Sequence, residues 1–438
     1  MPRVLIVSPH FPPVNAPDLQ RVRMSLPYFV EAGWEPVVLT VDDREPIAPL
    51  EPDLLATVPA SVRVVRAPCW SRRWTRLIGV GNIALRALPF LHRAGRRLLA
   101  ERPFDLVFFS TTQFAVLPLG RLWQRRYGVP YVIDLQDPWR NDYYRRPGAP
   151  RPPGGWKYRF ADLFARCLEG WTLRRAARVI SVSERYLDDL GRRYPWWSRD
   201  RGSVVTFGAP DRDFRLAREK AAQQQPLLPA TPDLKIVYAG RLGADMLPAL
   251  DALFTAVAAR RREPRPAAVY FFGTTYAARD EARPITSALA GRHGITDLVH
   301  EFPARIGYLD SLRVMLEGDV ALLLGSDDAG YSPSKIYPTL LSGRPALAIG
   351  PAGGVLAEKI EELGGAGSVT FPAGAPRDGA AQDQLRVFLA QAAGAPGAPL
   401  GAPLRRDVLE SRYSAAAIAT RQLGIFAEVV SARSPAPR

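Results

Sequence analysis

The chain has 438 residues, 47% of them hydrophobic, and 58 Lys+Arg against 43 Asp+Glu give a net charge of +15. That length suits two domains of roughly 200 residues each, and the apolar fraction excludes a disordered chain. The two cysteines, Cys69 and Cys167, exclude a disulfide framework and a cysteine zinc site, and they fit a reducing compartment.

The first apolar run, Val4-Leu5-Ile6-Val7, is broken by Pro9, Pro12 and Pro13 and is too short for a signal peptide. No run reaches the ~20 residues that span a bilayer. The expected location is cytoplasmic, with peripheral attachment to the inner membrane face as an option. Strands are expected at 4–8, 36–41, 62–66, 105–110, 131–135, 179–182 and 204–206, with helical patterns between them. One helix, 18–32, ends at Gly33. In another, Phe160, Leu163, Phe164, Cys167 and Trp171 share one face. Between Arg63 and Arg102 ten arginines accompany one acid, Glu101, together with Trp70, Trp74 and an amphipathic stretch at 83–99. Tryptophan and arginine beside an apolar face suit an anionic membrane surface. The plain alternative is a soluble helix pair with arginine on its wet side.

Residues 208–233 read as a linker, rich in charge and ending in glutamines and prolines. Strands resume at 235–239, 268–273, 298–302, 320–324, 345–349 and 368–371. Helices are expected at 247–262, 309–317, 334–342 and 355–363, a short one near 382–392 in a loop-rich stretch, and a last one at 406–430. The expected domains are therefore 1–207 and 234–405, followed by a carboxyl-terminal helix and tail at 406–438. Apolar strands separated by helices imply parallel sheets covered on both faces. Ligands bind such sheets beyond the carboxyl ends of the strands.

No P-loop, no G-x-G-x-x-G, no H-E-x-x-H and no G-x-S-x-G is present, which disfavours the corresponding nucleotidases, dehydrogenases, metalloproteases and hydrolases. Nothing points to a metal or a cofactor, and no nucleic-acid-binding motif accompanies the positive charge. The most informative segment runs from the strand Leu322-Leu323-Leu324 through Gly325-Ser326-Asp327-Asp328-Ala329-Gly330-Tyr331 to Ser332-Pro333-Ser334-Lys335. A buried strand, a small polar loop, a helix start and a lysine suit a phosphate. Simple helix capping by Ser332 or Ser334 is the alternative.

The stretch Ser332–Lys335, with Ile336-Tyr337-Pro338 and Gly343-Arg344-Pro345 beyond it, resembles the donor-binding segment of GT-B fold glycosyltransferases of the family-4-like type. Tyr238-Ala239-Gly240-Arg241-Leu242 resembles the first strand and loop of their second domain. Asp105–Gly120 with Gly128–Trp139, containing Asp134 and Asp137, resembles the cleft edge of their first domain, and Pro9–Arg23 resembles its first loop. The resemblance implies an α/β fold of two Rossmann-like parallel-sheet domains facing across a cleft, with the last helix returning to the first domain. It implies a metal-independent, retaining transfer of sugar from a nucleotide-sugar to a hydroxyl of a lipid-linked glycan such as a polyprenyl-diphosphate acceptor. Donor contacts would come from Arg241, Tyr331, Ser332, Ser334 and Lys335, and Asp137 would act at the reacting centre. Asn15, Asp18 and Trp139 would lie on the acceptor side. Aligned on Gly343 and Pro345, the two positions where relatives carry glutamates hold Gly330 and Pro338. That loss leaves open a non-catalytic scaffold that binds nucleotide-sugar.

Overall fold

A computed structural model describes residues 1–45, 48–77, 79–140, 156–275, 282–327, 334–395, 397 and 400–433. The chain divides into two compact units: Met1–Gly208 with Ala415–Arg438, and Ala209–Ser414.

The first unit is built on seven parallel strands. They are β1 (Arg3–Val7), β2 (Glu35–Val41), β3 (Arg63–Ala67), β4 (Leu106–Ser110), β5 (Tyr131–Leu135), β6 (Arg178–Ser181) and β7 (Gly202–Val204), in the order β3-β2-β1-β4-β5-β6-β7. Alternation along each strand feeds two cores. Leu5, Val7, Val107, Phe109 and Ile133 face one side, with the helices Ile83–Glu101 and Pro118–Tyr127. Val4, Ile6, Leu106, Phe108 and Val132 face the other, with Gln20–Glu31 and Ala415–Ser431.

The last helix belongs to this unit because the chain breaks out of helix at Ser414 (ψ 153°). Its Phe426 then packs on Phe29, Trp34 and Phe108, with ring centroids 5.6, 5.8 and 4.9 Å away. The predicted 406–430 helix is therefore two pieces, divided at the residue that separates the units.

Two further expectations change. The apolar side of Ile83–Glu101 is buried in the sheet core, so it is no membrane face. Exposure falls instead on the short helix Arg72–Thr75 and its flanks, where Trp70, Trp74 and Leu77 are 51%, 69% and 79% exposed. On the helix Trp156–Leu173, Phe160 and Leu163 stand outside the core, which takes Ala165 and Leu173.

The second unit carries six parallel strands: β8 (Leu234–Ala239), β9 (Ala267–Phe272), β10 (Val299–Phe302), β11 (Val320–Leu324), β12 (Ala346–Pro351) and β13 (Ala366–Phe371), ordered β10-β9-β8-β11-β12-β13. The segment read as a linker is folded within this unit. Asp211–Gln223 is a helix whose Phe214 and Ala217 pack on Leu309 and Leu312, while Tyr308 donates to Asp213 Oδ2 at 2.8 Å. Its narrow apolar stripe, among charged neighbours, hides the helical period. No described helix is long and apolar enough to cross a membrane.

Candidate functional site

Both sheets reverse strand order beside their first strand, at β1/β4 and at β8/β11. Each reversal opens a crevice at the carboxyl edge, where ligands of such sheets bind. The polar residues of each unit gather there.

In the first unit, β1 runs into a proline-rich loop, so its polar side chains are held without regular structure. His10 Nδ1 lies 2.8 Å from Asp18 Oδ1. The second oxygen of Asp18 accepts from the Thr111 hydroxyl at 2.8 Å and the Thr112 N–H at 3.3 Å, both just beyond β4. Burial drives the Asp18 carboxyl up, but the bond and charge of His10, with Thr111 and Thr112, outweigh it and hold the group below its ordinary range. Beyond β5, the Gln136 amide donates to the Asp18 carbonyl at 2.9 Å and to Ser110 Oγ at 3.0 Å. Asp134, on the same sheet face as Val132, pairs with Arg21 Nε at 2.9 Å and accepts from Ser110 Oγ at 2.7 Å. Burial raises the Asp134 carboxyl in spite of Arg21.

Asp137 stands at the rim and is exposed as a whole. Crowding of its carboxyl by protein, and then the charge of Asp18, push that group up to about 6. Of the other residues expected here, Asn15 is buried and donates to Glu51 Oε2 at 2.8 Å. Trp139 is buried and stacked on Phe114, centroids 5.8 Å apart. Asn15, Asp18 and Trp139 thus face inward and shape the loop walls, and Asp137 is the one that opens to solvent.

In the second unit, the Lys335 ammonium crosses the loop after β8. It donates to Tyr238 OH at 2.8 Å and sits 4.4 Å from the centroid of that ring. Tyr238 OH in turn donates to the Arg241 carbonyl at 2.7 Å. Gly240 makes the crossing possible: its φ is +136°, and a Cβ there would meet Lys335 Nζ at 2.0 Å. Burial, then the neighbouring Arg241 guanidinium, push Lys335 down to about 7. Among the described residues no carboxylate pairs with the Lys335 ammonium, and its crowding by Arg241 favours an anionic ligand.

Arg241 is exposed and oriented by Asp245, 3.2 Å away. Asp245 Oδ2 accepts from Ser326 Oγ at 2.7 Å, which ties the loop after β11 to the loop after β8. Asp245 is a partner the sequence reading missed, although its i+4 spacing from Arg241 was visible. Ser334 is exposed, and the helix after it, Ile336–Leu341, has only six residues, so the point charge of Lys335 outweighs any helix-end effect. Tyr331 and Ser332 lie outside the described residues, as does Gly330. Pro338 lies within the short helix. A cavity of about 440 Å³ adjoins Ser326 and Asp327 and is lined beyond them by the glycine-rich turn after β12. No group of three or more potential metal ligands occurs among the described residues.

Residues 20–208 match the glycosyl transferase 4-like domain. No curated protein matches the chain by sequence. Among solved structures, the sucrose-phosphate synthase of Thermosynechococcus elongatus superposes over 99% of this chain and 100% of its own, at 17% identity and a TM-score of 0.62. Anabaena HepE, in complex with UDP and glucose, covers 98% of this chain and 100% of its own at 14% identity and 0.58. WaaG, a glycosyltransferase involved in lipopolysaccharide biosynthesis, covers 98% of each chain at 14% identity and 0.50. At these identities the likeness establishes the fold. Residues 20–208 thus carry a glycosyl transferase 4-like domain, and the chain as a whole shares the two-sheet fold of these structures.

Proposed function

We propose that the protein transfers a sugar from a nucleotide-sugar to a hydroxyl of a lipid-linked glycan, with retention of configuration and without a metal. The observation that carries the reading is the Lys335–Tyr238–Arg241 arrangement at the β8/β11 edge. It gathers two cations where a diphosphate leaving group needs its charge balanced. Ser334 and the neighbouring Tyr331 and Ser332 complete the donor contacts. HepE is a structural neighbour in complex with UDP and glucose, which supports a nucleotide-linked donor. A thermal-shift and turnover screen against UDP-, GDP-, dTDP- and ADP-sugars tests the reading. Stabilisation without transfer would instead favour the scaffold alternative, to which the apolar Pro338 in place of a glutamate lends weight.

Asp137 acts as a carboxylate that orients the acceptor or offsets positive charge on the sugar ring. With its carboxyl near 6, it takes up a proton as pH falls through that value. Turnover should therefore show an acidic limb near pH 6. Asp137→Asn should lower kcat by about 10²–10³ and erase that limb, as measured by the pH dependence of kcat. A limb that survives in the variant rules Asp137 out.

The acceptor is met at an anionic membrane surface. Within the arginine-rich span 63–102, the contact narrows to Trp70, Trp74 and Leu77, with Arg72, Arg73 and Arg76 between them. Each arginine near an anionic surface is worth about 1 kcal/mol. Flotation with vesicles containing anionic phospholipid should recover the wild-type protein at low salt. It should lose the Arg72→Ala/Arg73→Ala/Arg76→Ala and Trp74→Ala/Leu77→Ala variants. Equal recovery of all three sinks the idea.

A further inference from the structure

The reading above leaves His10 without a task. The residue is 6% exposed, and its Nε2 is buried and makes no hydrogen bond among the described residues. Buried polar atoms in folded proteins are nearly always paired. The rest of the group is firmly held. Nδ1 is on Asp18 at 2.8 Å, Asp18 is on Thr111 and Thr112, and the His10 carbonyl accepts from Ser8 Oγ at 2.8 Å. An acid that fixes one imidazole nitrogen determines what the other offers. An ionised Asp18 takes the Nδ1–H, which turns Nε2 away from Asp18 and leaves it to meet a hydroxyl, a group that both donates and accepts. Gln136 is not an alternative, because its amide is engaged by the Asp18 carbonyl and Ser110.

We propose that His10 is a substrate-contacting residue: its Nε2 makes a hydrogen bond with a hydroxyl of the sugar bound over the carboxyl ends of β1, β4 and β5, with Asp18 as the residue that positions it. This rests on the sugar-transfer reading and assigns it a sugar contact. The hydroxyl belongs either to the sugar being transferred or to the acceptor. Because Nε2 is covered, the sugar reaches it by displacing the side chains around it.

The test uses the full chain labelled with ¹⁵N in its histidine rings. Only four histidines are present, so His10→Gln identifies the signal. The probes are UDP-, GDP-, dTDP- and ADP-linked hexoses, the matching nucleoside diphosphates, and free hexose added to the diphosphate complex. The Nε2 resonance should move with a sugar-bearing probe and stay still with the diphosphate alone. A response to the nucleotide-sugar assigns the hydroxyl to the transferred sugar, and a response only to free hexose assigns it to the acceptor. By calorimetry, His10→Gln and Asp18→Asn should weaken the responding sugar by about tenfold and leave diphosphate affinity unchanged. If nucleotide-sugar binds while the wild-type His10 signal stays still, the inference is overturned and sugar transfer stands. If the wild-type protein binds no nucleotide probe at millimolar concentration, both fall.

Discussion

Replacing Lys335 with alanine is expected to weaken nucleotide-sugar binding about 10- to 100-fold, the range for losing a charge-assisted contact of roughly 1.5–3 kcal/mol. Arg241→Ala should cost a similar factor, and both losses should appear equally with the nucleoside diphosphate alone, because both cations address phosphate. The two differ in pH dependence. Lys335 is pushed down to about 7, so above that pH most of the free protein holds it neutral. A diphosphate favours the ammonium and raises its pKa, so binding above pH 7 takes up a proton. Wild-type affinity should therefore be highest below pH 7 and fall as pH rises beyond it, at up to tenfold per unit. Arg241→Ala should keep this slope, less steeply because the repelling guanidinium is gone, and Lys335→Ala should abolish it. Calorimetry from pH 6 to 9 in buffers of differing ionisation enthalpy reads both the affinity and the proton uptake. Unchanged affinity in both variants would falsify the donor site at β8/β11.

The strands of both sheets were legible because parallel strands buried on two faces must be apolar throughout, as Val4–Val7 and Val320–Leu324 are. The helix Asp211–Gln223 was not. It buries chiefly Phe214, Ala217 and Asp213, and an apolar stripe that narrow among charges looks like linker. The arginine-rich span was read as one interfacial surface, but burial of the Ile83–Glu101 apolar face depends on a sheet whose strands are distant in sequence. In the candidate site, Lys335 and Arg241 were recognisable from their motifs. Their junction through Tyr238 was not, since it joins residues 97 positions apart. The resemblance put Asn15 and Trp139 on the acceptor side, and only tertiary packing on Glu51 and Phe114 turns them inward. His10 lacked any local signature. Its significance comes from Asp18, which is itself fixed from β4, 93 residues away.

Arg21→Leu should destabilise the first unit by about 3–5 kcal/mol, because it leaves the Asp134 carboxylate buried without its partner. Both side chains are almost fully enclosed, at 1% and 0% exposed. Arg21 also donates to the carbonyls of Val205 at 2.8 Å and Thr206 at 3.0 Å, so it pins the chain beyond β7 to the helix after β1. Asp134→Leu strands the guanidinium and should cost a comparable amount. The double variant should lose less than the sum of the two, because desolvation of the pair offsets much of its attraction. Burial raises Asp134 and lowers Arg21 even with the pair intact. The pH dependence has a definite sign. Without Arg21, the folded state holds a proton on Asp134 that the unfolded chain has released, so stability falls as pH rises above the ordinary carboxyl value. The deficit of Arg21→Leu should therefore be larger at pH 8 than at pH 5. All nine tryptophans precede Gly208, so tryptophan fluorescence during urea unfolding follows this unit and not the second. A deficit under 1 kcal/mol, or one that grows on acidification, would show that the Arg21–Asp134 pair does not hold the floor of the β1/β4/β5 edge in place.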